Sequence, residues 1–474
     1  SHPEQCSPYS PMDRRFLNPL YIDPCIEPDF CENPEIKNYT GKPAFQKRLA
    51  QLRDESLVDY RSVTRLKLVV LGKMYRHFCR TQLESGGERG RAYRSWLAAK
   101  GDSLAVFAEF EAARHRFAMD QTRHREFHCY LQWLAENQLE SCQQLALQQG
   151  MVSGLVRDLA VGGSSKSAEV ELNPGLFCLR ASIGAPPDPL APLGQKWGLP
   201  PLDPLQLRLS GYHHFIELLG SNMEHCGALR IDHVMSLMRL WWCPADGDSS
   251  TGAYVHYPVD ELFAILRLES TRRRCVVIGE DLGVVPPEIR RYMTESAVFS
   301  NVLFYFEKYD PLHFRHPAHF PRRALAMIAN HDVPPLAAWW NKSDLALRQR
   351  IGLMESETVM ADAVRSRESD LIQILHWLNE QSLLPESWRD FNIHRQFDFS
   401  LCHAILQANG RCASQLVSLQ LEDLSLEQMP VNIPGTSNEY PNWQRKLPTC
   451  TDQLFSAPES RTMLDIFVGA RNQS

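Results

Sequence analysis

Three carboxylates in this sequence stand where short apolar runs end. Asp232 closes Ala-Leu-Arg-Ile-Asp-His, Glu280 closes Val-Val-Ile-Gly-Glu-Asp, and Asp332 closes Met-Ile-Ala-Asn-His-Asp. A pair of carboxyl groups is the minimum equipment for glycosidic bond chemistry. A retaining enzyme needs one ionised nucleophile and one protonated acid about 5–5.5 Å apart. Arg230 lies two residues before Asp232, so on a strand both side chains point to one face, and the guanidinium favours an ionised carboxylate. Glu280 follows an apolar run, a setting that can raise the pKa of an acid. The third carboxylate, Asp332, would hydrogen-bond ring hydroxyls, and His233 and His331 flank two of the acids as further donors. Trp197, Trp241, Trp242, Tyr254, Tyr257 and Trp443 offer aromatic faces for sugars, although most tryptophans simply fill cores. Singly, each acid reads more readily as a helix cap or loop ion pair; three at the ends of three separate strands carry the argument.

The elements that must position these acids are short strands alternating with helices. Apolar runs at Leu155–Leu159, Ala228–Ile231, Cys275–Ile278, Val302–Phe306 and Leu325–Ala329 predict strands. Helical patterns over 211–226, 258–272 and from about 287 separate them. That alternation predicts a parallel α/β sheet, open or closed. In a closed barrel the C-terminal strand ends form the active face, where three such acids would converge. Upstream, Val63, Leu66, Val70, Leu71, Met74 and Phe78 recur at helical spacing, as do Phe127, Tyr130, Leu131 and Leu134, with Ser85-Gly86-Gly87 as a connection between. Residues 1–45 read as loop and turn, and 184–204, with seven prolines and three glycines, as a long irregular loop.

Composition excludes several classes. A net charge of −6 with no Lys/Arg block argues against nucleic acid or an anionic membrane as partner. No apolar run approaches the ~20 residues of a bilayer span, and no basic head with an apolar run marks a signal peptide. Thirteen cysteines at irregular spacing, without a Cys-x-x-Cys pair, read as reduced thiols of a cytoplasmic protein rather than a disulfide framework or a zinc site. The chain opens on Ser1 and not Met, and Ser1-His2-Pro3-Glu4-Gln5-Cys6 reads as the interior of a longer polypeptide.

Longer strings around these residues resemble one family, the 4-alpha-glucanotransferases (amylomaltases, glycoside hydrolase family 77), in their bacterial maltodextrin-metabolising form. Ala228-Leu-Arg-Ile-Asp-His-Val-Met235 is similar to the nucleophile motif, and Gly252-Ala-Tyr-Val-His-Tyr-Pro-Val259 follows it in family order. Ile278-Gly-Glu-Asp-Leu-Gly283 resembles the acid/base motif, Asn330-His331-Asp332 the site of the third Asp, and Asn432-Ile-Pro-Gly-Thr436 a donor-site segment. Ser7-Pro-Tyr-Ser-Pro11, Phe16-Leu-Asn-Pro-Leu-Tyr21 and Gly194-Gln-Lys-Trp-Gly-Leu-Pro200 are similar too.

The resemblance implies an enzyme with a (β/α)8 TIM-type barrel. It would span residues 1–474, with a mainly helical insertion at about 46–118 and further helices at about 340–425. The family's N-terminal domain and first barrel strand precede the Ser-Pro-Tyr motif, so the barrel here would lack its first strand. Asp232 would be the nucleophile of a covalent glycosyl-enzyme, Glu280 the acid/base and Asp332 the transition-state stabiliser. Ser7, Tyr9, Gln195, Trp197, Arg230, His233, His331 and Asn432 would line sugar subsites. Implied partners are α-1,4-glucans and maltodextrins with glucose as an acceptor, and no cofactor or metal is called for. The family usually has Thr where this chain has Asn330, and a polar residue where it has Pro335. An α-amylase-like hydrolase and an inactive glucan-binding fragment remain as alternatives.

Overall fold

The computed structural model describes residues 6–114, 121–187, 194–354 and 356–472, without the side chains of 121 and 122. The chain divides into two compact units, Ser1–Val277 and Ile278–Ser474. Twelve strands are formed among the described residues: β1 (Val156–Leu159), β2 (Ala181–Ala185), β3 (Gln195–Leu199), β4 (Ala228–Ile231), β5 (Arg239–Pro244), β6 (Ala253–His256), β7 (Val276–Gly279), β8 (Ser300–Leu303), β9 (Lys308–Asp310), β10 (His313–Phe314), β11 (Ala324–Met327) and β12 (Leu416–Ser418).

Parallel pairing joins β4 to β1 and β11 to both β8 and β12, the strands that precede Asp232 and Asp332. One sheet runs β1-β4-β7 and another β8-β11-β12. β1 and β4 pair without a slip, so Asp158 lies opposite Arg230 and Leu159 opposite Ile231. β11 lies between β8 and β12. Every residue of β4 is buried, as a strand covered on both faces requires. Gly227 leads into it because a Cβ there would stand 1.7 Å from the Ser153 carbonyl oxygen. These sheets, with helices between strands, make an α/β fold. Among the described residues the paired strands form no closed ring.

The strands expected at 155–159, 228–231, 275–278 and 325–329 form within one or two residues of those bounds. At 302–306 the strand starts earlier, at Ser300, and Phe304–Phe306 tightens into a 3-10 turn. Two expectations fail. Residues 1–45 hold helical turns at Pro19–Tyr21, Pro24–Ile26, Pro28–Cys31 and Pro34–Thr40, as well as the start of Pro43–Asp54. In three of them Asn18, Asp23 or Asn33 caps the first amides and Pro fills the first position, where its missing N–H costs nothing. The presumed loop 184–204 is also partly ordered sheet. β2 and β3 pair antiparallel in a four-stranded sheet of order β3-β2-β5-β6, while 188–193 lie outside the described residues.

The first unit also packs a helical core. Helices α1 (Tyr60–Phe78), α2 (Glu88–Arg114) and α3 (Gln121–Gln148) bury Leu71, Met74 and Phe78 against Phe127, Tyr130 and Leu134. The second unit builds its own core from Phe304, Trp340, Leu371, Trp388 and Leu401. No helix of the described residues is long and apolar enough to cross a membrane.

Candidate active site

In the first unit, β1 and β4 place a charged cluster at their C-terminal ends. Arg230 Nη1 donates to both oxygens of Asp158 at 2.8 Å and to Asp232 Oδ1 at 3.3 Å. The Asp232 amide donates to the Leu159 carbonyl at 3.0 Å, which fixes the acid one residue past the strand. Burial alone would lower the Arg230 pKa, but Asp158 and then Asp232 hold the guanidinium charged. Tyr9 Oη donates to Asp158 Oδ2 at 2.5 Å, and burial followed by that carboxylate keeps the phenol protonated. The Tyr9 amide in turn donates to Ser7 Oγ at 3.2 Å. Ser7, Tyr9, Arg230 and Asp232 are therefore one connected group, and its hub is Asp158.

The segment bearing Ser7 and Tyr9 is clamped from behind. Arg14 reaches Glu169 Oε1 at 2.6 Å and donates to the carbonyls of Ala160 and Val161 just past β1. His214 contacts the same carboxylate at 2.8 Å. Burial would raise the pKa of Glu169, but the Arg14 charge and the His214 bond hold it well below the usual carboxylate range.

Aromatic groups form a second set of contacts in the first unit. Trp197 meets His233 edge to face, with ring centroids 5.4 Å apart, and donates its Nε1 to Gln195 Oε1 at 3.0 Å. His233 adopts a left-handed conformation, φ 50°, directly after Asp232. Its burial pushes the imidazole pKa down to about 4, so it is neutral at pH 7. Gln195 and Trp197 sit on β3, which approaches β2 so closely that a Cβ on Gly184 would lie 2.1 Å from the Gln195 carbonyl oxygen. Trp241 packs on Tyr254 across β5 and β6, with Arg239 4.0 Å above the Tyr254 ring. Tyr257 is buried and donates to the Leu202 carbonyl at 2.7 Å, so its ring fills core rather than facing a sugar.

In the second unit, Glu280 follows β7 and is 8% exposed. Its Oε1 accepts from the Leu282 amide at 2.6 Å, which orients the carboxyl group within its own turn. Next to it Asp281 accepts from the Asn301 amide at 2.9 Å, and burial lifts its pKa to about 6. Asp332 is turned by the Asn330 side chain, whose Oδ1 accepts from the Asp332 amide at 2.9 Å. The Asp332 carboxyl group meets His331 Nε2 at 3.2 Å and is 45% exposed, open to a ligand. Asn330 thus performs the capping that any short polar side chain could supply at that position.

His331 lies 5.3 Å from the ring of Trp443 and lines a cavity of about 280 Å3 with Asn330, Gln420, Glu422 and Val431. Trp443 has φ 62° and donates its amide to the Val431 carbonyl at 2.8 Å. Asn442 holds the same segment by bonds to the Ile433 amide and to Thr436 Oγ1, both at 2.8 Å. Half-buried Asn432 is therefore carried between cavity-lining Val431 and anchored Ile433.

Sequence reading missed Asp158, the hub of the first cluster, and Glu169, the rear clamp. The available signal for Asp158 was an acid inside a four-residue strand followed by a strand with Arg at the matching position.

Comparison with known proteins agrees with this architecture. The sequence profile of the family described as 4-alpha-glucanotransferase matches residues 1–124 and 113–451. A 4-alpha-glucanotransferase of Haemophilus influenzae is 37% identical over 97% of this chain and 70% of its own length. One from Mycobacterium tuberculosis is 30% identical over 99% of this chain and 66% of its own. This chain thus spans about two thirds of the length of these relatives. The crystal structure of amylomaltase from Corynebacterium glutamicum superposes with a TM-score of 0.89 at 27% identity, covering 98% of this chain and 67% of that one. Amylomaltase from Streptococcus agalactiae in complex with acarbose shares the fold, with a TM-score of 0.74 at 18% identity over 98% of this chain and 88% of that one. With a family profile across most of its length and a relative at 37% identity, the chain belongs to the 4-alpha-glucanotransferase family, glycoside hydrolase family 77.

Proposed function

We propose that this chain is the catalytic region of a retaining transglycosylase that moves α-1,4-glucan segments between maltodextrins, with glucose among its acceptors. In this reading residues 1–474 belong to a (β/α)8 barrel, with the helices of about 46–118 and 340–425 as additions to it. Asp232 attacks the anomeric carbon while Glu280 gives its proton to the leaving oxygen. A covalent glycosyl-enzyme forms through an oxocarbenium-like transition state, whose ring hydroxyls Asp332 holds. Glu280, now ionised, takes the proton of an acceptor hydroxyl, which attacks the same carbon and regenerates Asp232. The sequence calls on carboxyl groups alone, with no metal or cofactor in any step.

The observation that supports this reading most is the Arg230 bridge, 2.8 Å to Asp158 and 3.3 Å to Asp232. A guanidinium so placed attracts the carboxylate of Asp232, as suits a nucleophile, and aims one of its oxygens. Ser7, Tyr9, Gln195, Trp197, neutral His233, His331 and Asn432 would line the sugar subsites. Free thiols at all thirteen cysteines fit work in the reducing cytoplasm.

Incubation of the chain with maltotriose tests the proposal. Transfer yields glucose together with oligosaccharides longer than the substrate. A product set confined to glucose and maltose identifies an α-amylase-like hydrolase instead.

A further inference from the structure

Two buried thiols in the first unit lie side by side, remote in role from the glucan chemistry. Cys226 and Cys275 stand just before β4 and β7, with Sγ atoms 3.8 Å apart. The Val276 amide donates to the Gly227 carbonyl at 2.9 Å, so the two residues enter neighbouring strands together. Adjacent strands are about 4.8 Å apart, within the Cα separations that a disulfide spans.

We propose that Cys226 and Cys275 are a modification site, a dithiol that a hydroperoxide oxidises to an intramolecular disulfide. Closing the bond requires the sulfurs to approach from 3.8 Å to about 2.05 Å.

The surroundings distinguish the two sulfurs. Cys226 is held below the usual thiol range, first by its contact with the Cys275 thiol and, against burial, by the Arg157 guanidinium. Cys275 is pushed up by the same contact and by burial, which suits a resolving thiol. Arg157 and His225 line a cavity of about 380 Å3 whose wall includes Ser221, so a small polar oxidant has room beside the residue that precedes Cys226.

The steps balance. The Cys226 thiolate attacks one peroxide oxygen, the O–O bond breaks, and a sulfenic acid forms as the other oxygen leaves as water or an alcohol. Cys275 then attacks that sulfur, the S–S bond forms, and the hydroxyl departs as water with the Cys275 proton. Two electrons pass from the two thiols to the peroxide.

The test is mass mapping of the reduced full chain after exposure to stoichiometric hydrogen peroxide, alkylation and digestion without reductant. The expected product joins the Cys226 and Cys275 peptides, lighter than their sum by two hydrogens, and dithiothreitol reverses it. Recovery of both as separate alkylated peptides, while exposed Cys25, Cys31, Cys142 or Cys450 is oxidised, overturns the proposal. Pairing of Cys226 with any other cysteine does the same. In Cys275→Ser, a 1,3-diketone should label the sulfenic acid at Cys226. An unlabelled Cys226 there contradicts the order of attack.

Discussion

Asp158 and Arg230 face each other in register across β1 and β4, and both Asp158 oxygens accept from one guanidinium nitrogen at 2.8 Å. The same nitrogen reaches Asp232, so Asp158 decides where the charge beside Asp232 is held. Asp158→Asn leaves the shape and removes the anion, allowing Arg230 to turn fully onto Asp232. The expected result is a fall in kcat of about 10- to 100-fold with a smaller change in KM, since misplacing a reacting group by even 1 Å can cost that much. Steady-state kinetics on maltotriose measure it, and an unchanged kcat refutes the positioning role.

Trp197 stands edge-on to His233 with its own Nε1 tied to Gln195. If it contacts a glucosyl ring, Trp197→Ala raises KM for maltodextrins by about 5-fold, the worth of roughly 1 kcal/mol of aromatic contact. The same variant should leave the thermal midpoint within a few degrees, because the residue is only half-buried.

Glu169 pairs with Arg14 at 2.6 Å in a fully buried setting. Removing one partner of such a pair costs about 3–5 kcal/mol. Glu169→Ala is therefore expected to lower the urea midpoint markedly and loosen the segment that carries Tyr9. The carboxyl pKa is depressed in the fold, so its stabilisation is complete above the ordinary Glu range near 4.3 and fades as pH falls below it. Midpoints measured from pH 7 to pH 3 in the parent and in Glu169→Gln check the sign.

Asp423 behaves in the opposite sense. It is 2% exposed, and burial, then the neighbouring Glu422, push its pKa up to about 7. The folded protein thus prefers the protonated acid, whereas the unfolded chain ionises near 3.9. Stability from this group is greatest at low pH and is lost as pH rises from about 4 to 7, by roughly 1.4 kcal/mol per unit. Asp423→Asn should flatten that slope. Thermal midpoints at pH 5.5 and pH 8 that fall equally in parent and variant would contradict it.

How far the sequence discloses this protein depends on how local the cause is. β4 and the acid after it were legible because Arg230 lies two residues before Asp232 in a strand whose other residues are apolar. The turn around Asp332 was legible as a polar Asn-His-Asp run, although the capping by Asn330 was not anticipated. The helical turns near residues 18–40 carried a local signal in Asn-Pro and Asp-Pro pairs that reads equally well as loop. The antiparallel sheet was hidden because prolines surround β2 and β3 while β5, which pairs with β2, and β6, which pairs with β5, come later in the chain. Glu169 could not be found locally, since its partner Arg14 is 155 residues away.

The central claim is that Asp232 becomes covalently glycosylated, and trapping that species is the most direct test. Glu280→Gln, which removes the acid/base, is mixed with α-maltosyl fluoride, whose leaving group needs no protonation. Peptide mass spectrometry should then find a single maltosyl unit on the Asp232 peptide, and Asp232→Asn should abolish it. A sugar attached to another residue, or transfer activity that survives Asp232→Asn at the parent rate, would contradict the account.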